Sequence, residues 1–83
     1  MIKEIWKYRF NYAIEMPKEA KVLAIQKQDG EPTIWALVNP NNELEIRNFR
    51  IVGTGNPFDD TDYTYIGTFQ DGPFVWHLFE IIK

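Results

Sequence analysis

Two arginines three positions apart, Arg47 and Arg50, flank Phe49 and lie just before the glycine pair of Gly53-Thr54-Gly55-Asn56. Forked guanidinium groups match phosphate oxygens and stack on aromatic rings. Glycines tolerate positive φ and can turn successive amides toward an anion. Their shared chemistry is the holding of a small anion: Arg47 or Arg50 supplies charge, and Gly53, Thr54 and Gly55 supply amides and a hydroxyl. Tyr65 or Trp76 offers a flat ring on which a base can stack. Simpler accounts stand beside this one, with the glycines forming a plain wide turn and the arginines pairing Glu43 or Glu45. The segment is not a P-loop, because the Lys-Ser/Thr ending and a following helix are missing. In a regular strand Arg47 and Arg50 point to opposite faces, but Leu44 and Ile46 lie on one face and Phe49 and Ile51 on the other, a switch that suggests a β-bulge near Arg47–Asn48 able to bring the arginines together.

His77, between Trp76 and Leu78, is the one histidine and the natural general-base candidate. The chain contains neither serine nor cysteine, which leaves threonine and tyrosine as hydroxyl nucleophiles. No Asp or Glu is spaced to orient the imidazole. His77 is therefore read as a half-buried residue bordering the ligand site, and the chain as non-enzymatic. Asp59, Asp60 and Asp62 do not follow the spacing of a calcium loop and read as a solvated acidic loop. One histidine without cysteine gives no zinc set. Neither a metal nor a cofactor is expected.

The elements that must position these groups are strands. Trp6, Tyr8, Phe10, Tyr12, Ile14 and Met16 alternate with polar residues, the period of a half-buried strand. The run is long for one strand and is expected to bend near Arg9–Asn11 or to split into two short strands. Pro17 ends it. Ala20 to Gln28 and Pro32 to Val38 form a hairpin around Asp29-Gly30. Asn39-Pro40-Asn41-Asn42 is a turn, and Glu43 to Val52 a strand. The loop from Gly53 to Asp62 precedes Tyr63 to Gln70. Asp71-Gly72 marks a second hairpin leading to Phe74 to Ile82, apolar on both faces and so a central strand or an oligomer-facing one. A short C-terminal helix is the competing reading of that run. The fold class is all-β, mainly antiparallel: a six-stranded meander forming a compact barrel or sandwich.

Residues 1–83 make one domain, small enough for its stability margin to be modest. With no cysteine, oligomerisation is the support left open, and a homo-oligomer is expected. A formal net charge of −3 argues against duplex nucleic acid but permits a small anion held by local arginines. No apolar run reaches bilayer length, and the charged, alternating start is unlike a signal peptide, so a cytoplasmic protein without membrane contact is expected.

Ile5-Trp6-Lys7-Tyr8, Met16-Pro17, Ala20-Lys21-Val22-Leu23 and Trp35-Ala36-Leu37-Val38 form an ordered set. Arg50-Ile51-Val52-Gly53-Thr54-Gly55, Tyr65-Ile66-Gly67-Thr68 and Phe74-Val75-Trp76-His77-Leu78-Phe79-Glu80 complete it. The set resembles a family of small, mostly uncharacterised phage and prophage proteins across nearly the whole chain. The resemblance implies a phage-encoded accessory protein in the host cytosol and carries over no catalytic residues. Proteins of that kind often neutralise host immunity by sequestering a nucleotide signal or by binding a host protein, which is an analogy of role. The expected function is sequestration of a small nucleotide-type signal between protomers, through Arg47, Arg50, Gly53, Thr54, Gly55, Tyr65, Trp76 and His77. The alternative is a protein inhibitor that docks a host protein through its acidic loop and exposed aromatics.

Overall fold

Alternation of apolar and polar side chains produces seven strands in a computed structural model that describes residues 2–59 and 62–82. They are β1 (Glu4–Arg9), β2 (Ala13–Pro17), β3 (Lys21–Gln28), β4 (Glu31–Val38), β5 (Leu44–Gly53), β6 (Tyr63–Asp71) and β7 (Phe74–Ile81). All pairings are antiparallel. One sheet has the order β1-β4-β3 and the other β2-β5-β7-β6.

The expected first strand is two strands, which raises the count from six to seven. The chain changes sheets between them: Phe10 N donates to Pro32 O at the end of the β1–β4 ladder, and Phe49 N donates to Tyr12 O at the start of β2–β5. The topology is thus not a simple meander, since β1 and β2 each pair with a strand remote in sequence. The sheets are not closed into a barrel. At the far side β3 and β6, edge strands of different sheets, pack together. A Cβ added to Gly67 would meet Ile25 Cγ2 at 3.0 Å, so glycine permits that approach. Lys27 and Asp71 bridge the same seam at 2.6 Å.

Both hairpin expectations hold. Asp29 and Gly30 have φ of 52° and 80°, the pair of positive angles a type I′ turn requires. At the second hairpin Asp71 is the last strand residue, paired with Phe74, and the turn is Gly72-Pro73. Gly72 has φ 58°, which together with the proline suits a type II′ turn.

Phe74–Ile81 is a strand between β5 and β6, so the alternative of a C-terminal helix is overturned. Leu78 carries its inner face into the core, and on the outer face Phe79 packs against Phe58. The bulge expected near Arg47–Asn48 is also absent: β5 runs in unbroken register against β2 and β7. Leu44 and Ile46 share one parity and Phe49 and Ile51 the other, so a regular strand already separates them. The former are exposed, while Phe49 is buried and Ile51 packs against the core. Bulges occur instead at Val22/Ala24 and Tyr65/Gly67.

The core lies between the sheets and includes Ile14, Met16, Ile25, Ile34, Val38, Phe49, Phe69 and Leu78. Each large apolar side chain buried there contributes about 1.5–3 kcal/mol. Among the described residues no helix is long and apolar enough to cross a membrane.

Candidate functional site

The outer face of the four-stranded sheet gathers several of the expected site residues, and the β6 bulge is what aligns them. Tyr65 pairs with Phe79, then Gly67 with Leu78 and Thr68 with His77. Residues three apart in a regular strand face opposite ways. The extra residue, Ile66, packs against the core and shifts the parity, so Tyr65 and Thr68 share the outer face. Tyr65 OH and Thr68 Oγ1 lie 2.6 Å apart.

A hydrogen-bonded chain continues from there. Thr68 Oγ1 is 2.9 Å from His77 Nδ1, and His77 Nε2 is 2.7 Å from Thr54 Oγ1. Thr54 follows β5 directly, and its amide donates to Val75 O at 3.0 Å, extending the ladder by one step. Its hydroxyl also approaches Val75 O at 3.3 Å. One arrangement satisfies every proton: Tyr65 donates to Thr68, Thr68 to Nδ1, Nε2–H to Thr54, and Thr54 to Val75 O. The reversed order uses the other imidazole tautomer and frees the Tyr65 proton for a ligand or solvent. The chain is a polar strip whose donors and acceptors can be reversed without moving a heavy atom.

Arg50 lies beside it, opposite Phe79 in the ladder. Its Nη1 donates to Tyr63 OH at 3.3 Å, and its guanidinium carbon sits 5.6 Å from the Phe58 ring centroid. Phe58 comes from the long loop and packs on Phe79 at 4.4 Å and on Tyr63 at 4.9 Å. Tyr65 meets Phe79 at 5.6 Å. The loop is thereby pinned to the sheet by an aromatic side chain, beside an exposed arginine.

Arg47 is elsewhere. It lies on the inner face, where Nε and Nη2 donate to the two Glu80 oxygens at 2.6 and 2.7 Å. Nη1 donates to Ala20 O, tying the guanidinium to the segment leading into β3. Hydrogen bonding to Glu80 raises the Arg47 pKa above its ordinary value, against the opposing effect of partial burial. Arg47 is a clamp between layers, and its partner is neither Glu43 nor Glu45. The unbroken register of β5 keeps it off the face that carries Arg50.

Trp76 also faces inward, pairing with Gly53 across the ladder. A Cβ at Gly53 would meet its ring at 3.0 Å. Gly55 has φ 90°, and Asn56 N donates to Gly53 O at 3.1 Å, closing a type II turn. The amides of Thr54 and Asn56 both donate within the protein and so are not turned toward an anion. A groove of about 440 Å³ runs beside it toward Phe74 and Trp76.

Arg50, Thr54, Tyr65 and His77 are brought together. Arg47, Gly53 and Trp76 are not, and Gly55 shapes the turn. Phe58, Tyr63, Thr68 and Phe79 were missed from the sequence. Gly67 was the available signal for Thr68, because an isolated glycine in a strand often marks a bulge. Asp60 lies outside the described residues. Among the described residues no group of His, Cys, Asp and Glu could hold a metal ion.

No curated protein and no solved structure matches the chain. Residues 1–83 match the model of a family described as a domain of unknown function, DUF7352. With the match running through every strand and both faces just described, the chain belongs to the DUF7352 family.

Proposed function

We propose that this domain works by non-covalent binding, and that the outer face of the four-stranded sheet takes a small nucleotide-type anion. The observation that carries the reading is the placement of Arg50, Tyr65, Thr68, His77 and Thr54 on that one face. Arg50 meets the phosphate, Tyr65 stacks on the base, and the hydroxyl–imidazole chain adjusts its protons to the base edge. Tyr65 is 57% exposed, so its ring is available. Base–aromatic stacking is worth about 1–3 kcal/mol, and a hydrogen bond to a charged group about 1.5–3 kcal/mol. Both His77 ring nitrogens bond to threonine hydroxyls, which favours a binding role over general-base catalysis.

A single sheet face covers one side of a planar ligand, whereas small-molecule sites bury most of theirs. A second copy facing the first supplies the missing wall, so the functional unit is a homo-oligomer. In the phage setting that the sequence resemblance implies, sequestration of this kind withdraws a signal nucleotide in the host cytosol from its receptor.

The test is calorimetry against a panel of cyclic and linear nucleotides, with native mass spectrometry of the same preparations. Saturable heat, lost in Arg50→Ala and Tyr65→Ala but not in Arg9→Ala, is expected. A panel silent at high micromolar concentration sinks the reading. A second reading, a protein inhibitor, is favoured by Leu44 and Ile46, which extend the same face and are 55% and 64% exposed. Capture of a host protein that is lost in Ile46→Asp or in a charge-reversed acidic loop would support it.

A further inference from the structure

At one end of the sandwich the two layers leave a depression of about 340 Å³. It is separate from the outer sheet face and is formed where β1 gives way to β2. Phe10, Tyr12, Phe69 and Trp76 wall it, with Ile51 and Pro32 between them and Asp71 among its lining residues. We propose that this aromatic mouth binds a methylated ammonium cation.

The lining rings are held by their neighbours. Phe10 and Tyr12 meet nearly at right angles, 76° apart in plane with centroids 5.4 Å apart, and form a corner. Trp76 lines the same depression. It is held by Gly53, which leaves room for its ring, and by Phe74 at 6.1 Å. Tyr12 is 70% exposed.

The chemistry selects a cation of low hydration. Aromatic faces carry negative electrostatic potential, and a cation over several of them is attracted to each. Asp71 adds a formal negative charge among the lining residues, and none of those residues is basic. The Asp71 partner, Lys27, binds from the β3 side through one carboxylate oxygen at 2.6 Å. An unmodified ammonium would lose strong hydration on entering such a site. Methyl groups spread the charge, weaken that hydration and fill apolar volume. The shared chemistry fits a free choline-type compound and a methylated lysine side chain alike.

The test follows backbone and indole N–H signals of the ¹⁵N-labelled protein during titration with choline chloride. Matched titrations use a trimethyllysine peptide and 3,3-dimethylbutan-1-ol, the neutral isostere of choline. The expected result is a saturable shift of the Trp76 indole signal with the cations, and binding of the isostere weaker by about tenfold or more. Tyr12→Ala should weaken cation binding by about three- to tenfold while Tyr12→Phe keeps it. Asp71→Asn should weaken it without changing the isostere. A peptide that binds more tightly than choline identifies methylated lysine as the source, and the reverse order identifies a small molecule. Equal binding of choline and its isostere, or no shift of Trp76 with either cation, overturns the proposal. The wild-type comparison stands even where a variant folds poorly.

Discussion

On the inner face of the four-stranded sheet Arg47 is gripped at both ends of its fork by Glu80 and tied to Ala20 O. On the outer face, three residues along the same strand, Arg50 is exposed and rests against Phe58 and Tyr63. The neighbours Trp76 and His77 divide in the same way, one facing the core side and one joining the threonine chain. The same residue types thus serve opposite ends. Inside, where water is scarce, a charge must be paired, and the pairing locks layers together. Outside, water screens the charge, so its free energy of interaction remains available to a ligand.

Substitutions can break that contrast. Phe49→Ala on the inner face should destabilise by about 3–5 kcal/mol, measured by urea unfolding, because it empties a fully buried site. Glu80→Ala should cost about 2–3 kcal/mol, since it strands the Arg47 charge at a side chain only 17% exposed. Thr68→Val should cost about 1 kcal/mol and alter the His77 ring-nitrogen shifts in NMR. Unchanged shifts would mean that the chain is not formed in solution. Arg50→Ala should change stability by less than about 0.5 kcal/mol. If it costs as much as Glu80→Ala, the two faces do not differ in the way described.

The smallest change sharpens the picture of the other layer. Among the described residues the buried Tyr8 hydroxyl lacks a hydrogen-bond partner, and burial pushes its pKa above the ordinary 10.0. A raised folded pKa leaves stability intact below the unfolded value. The contribution is lost as pH climbs from about 10 through the folded pKa. Tyr8→Phe should therefore be neutral or slightly stabilising near pH 7 and should flatten the alkaline decline in thermal midpoint.

Much of this architecture was legible in the residues. Alternation marked the strands, Asp29-Gly30 and the Asp71-Gly72 segment marked the hairpins, and the apolar Phe74–Ile82 run pointed to a central or oligomer-facing strand, with a short helix as the competing reading. The splitting of the first run into two strands was one of two options, and the placement of the halves in different sheets was not legible at all. Alternation persists through a bend and cannot say which partner each half takes. The site was less legible. The Arg47 partner, Glu80, lies on another strand far along the chain, and nothing local to Arg47 selects it over Glu45. The bulge invoked to unite two arginines belongs to Tyr65–Thr68, where Gly67 leaves room for Ile25. Phe58 gave no periodic signal because it lies in a loop and gains its place only by packing on Phe79 and Tyr63.

The segment from β1 through β2 contributes an edge to each sheet, and both its partners are made later: β1 needs β4, and β2 needs β5. During synthesis this stretch leaves the ribosome early and has nothing to pair with until those strands emerge. The β3–β4 and β6–β7 hairpins can close as soon as they appear, whereas both layers stay incomplete until this strap docks across them. Pairings so distant in sequence slow folding, and an alternating aromatic strand left waiting is open to mispairing. Loss of the strap would take an edge strand from both layers together.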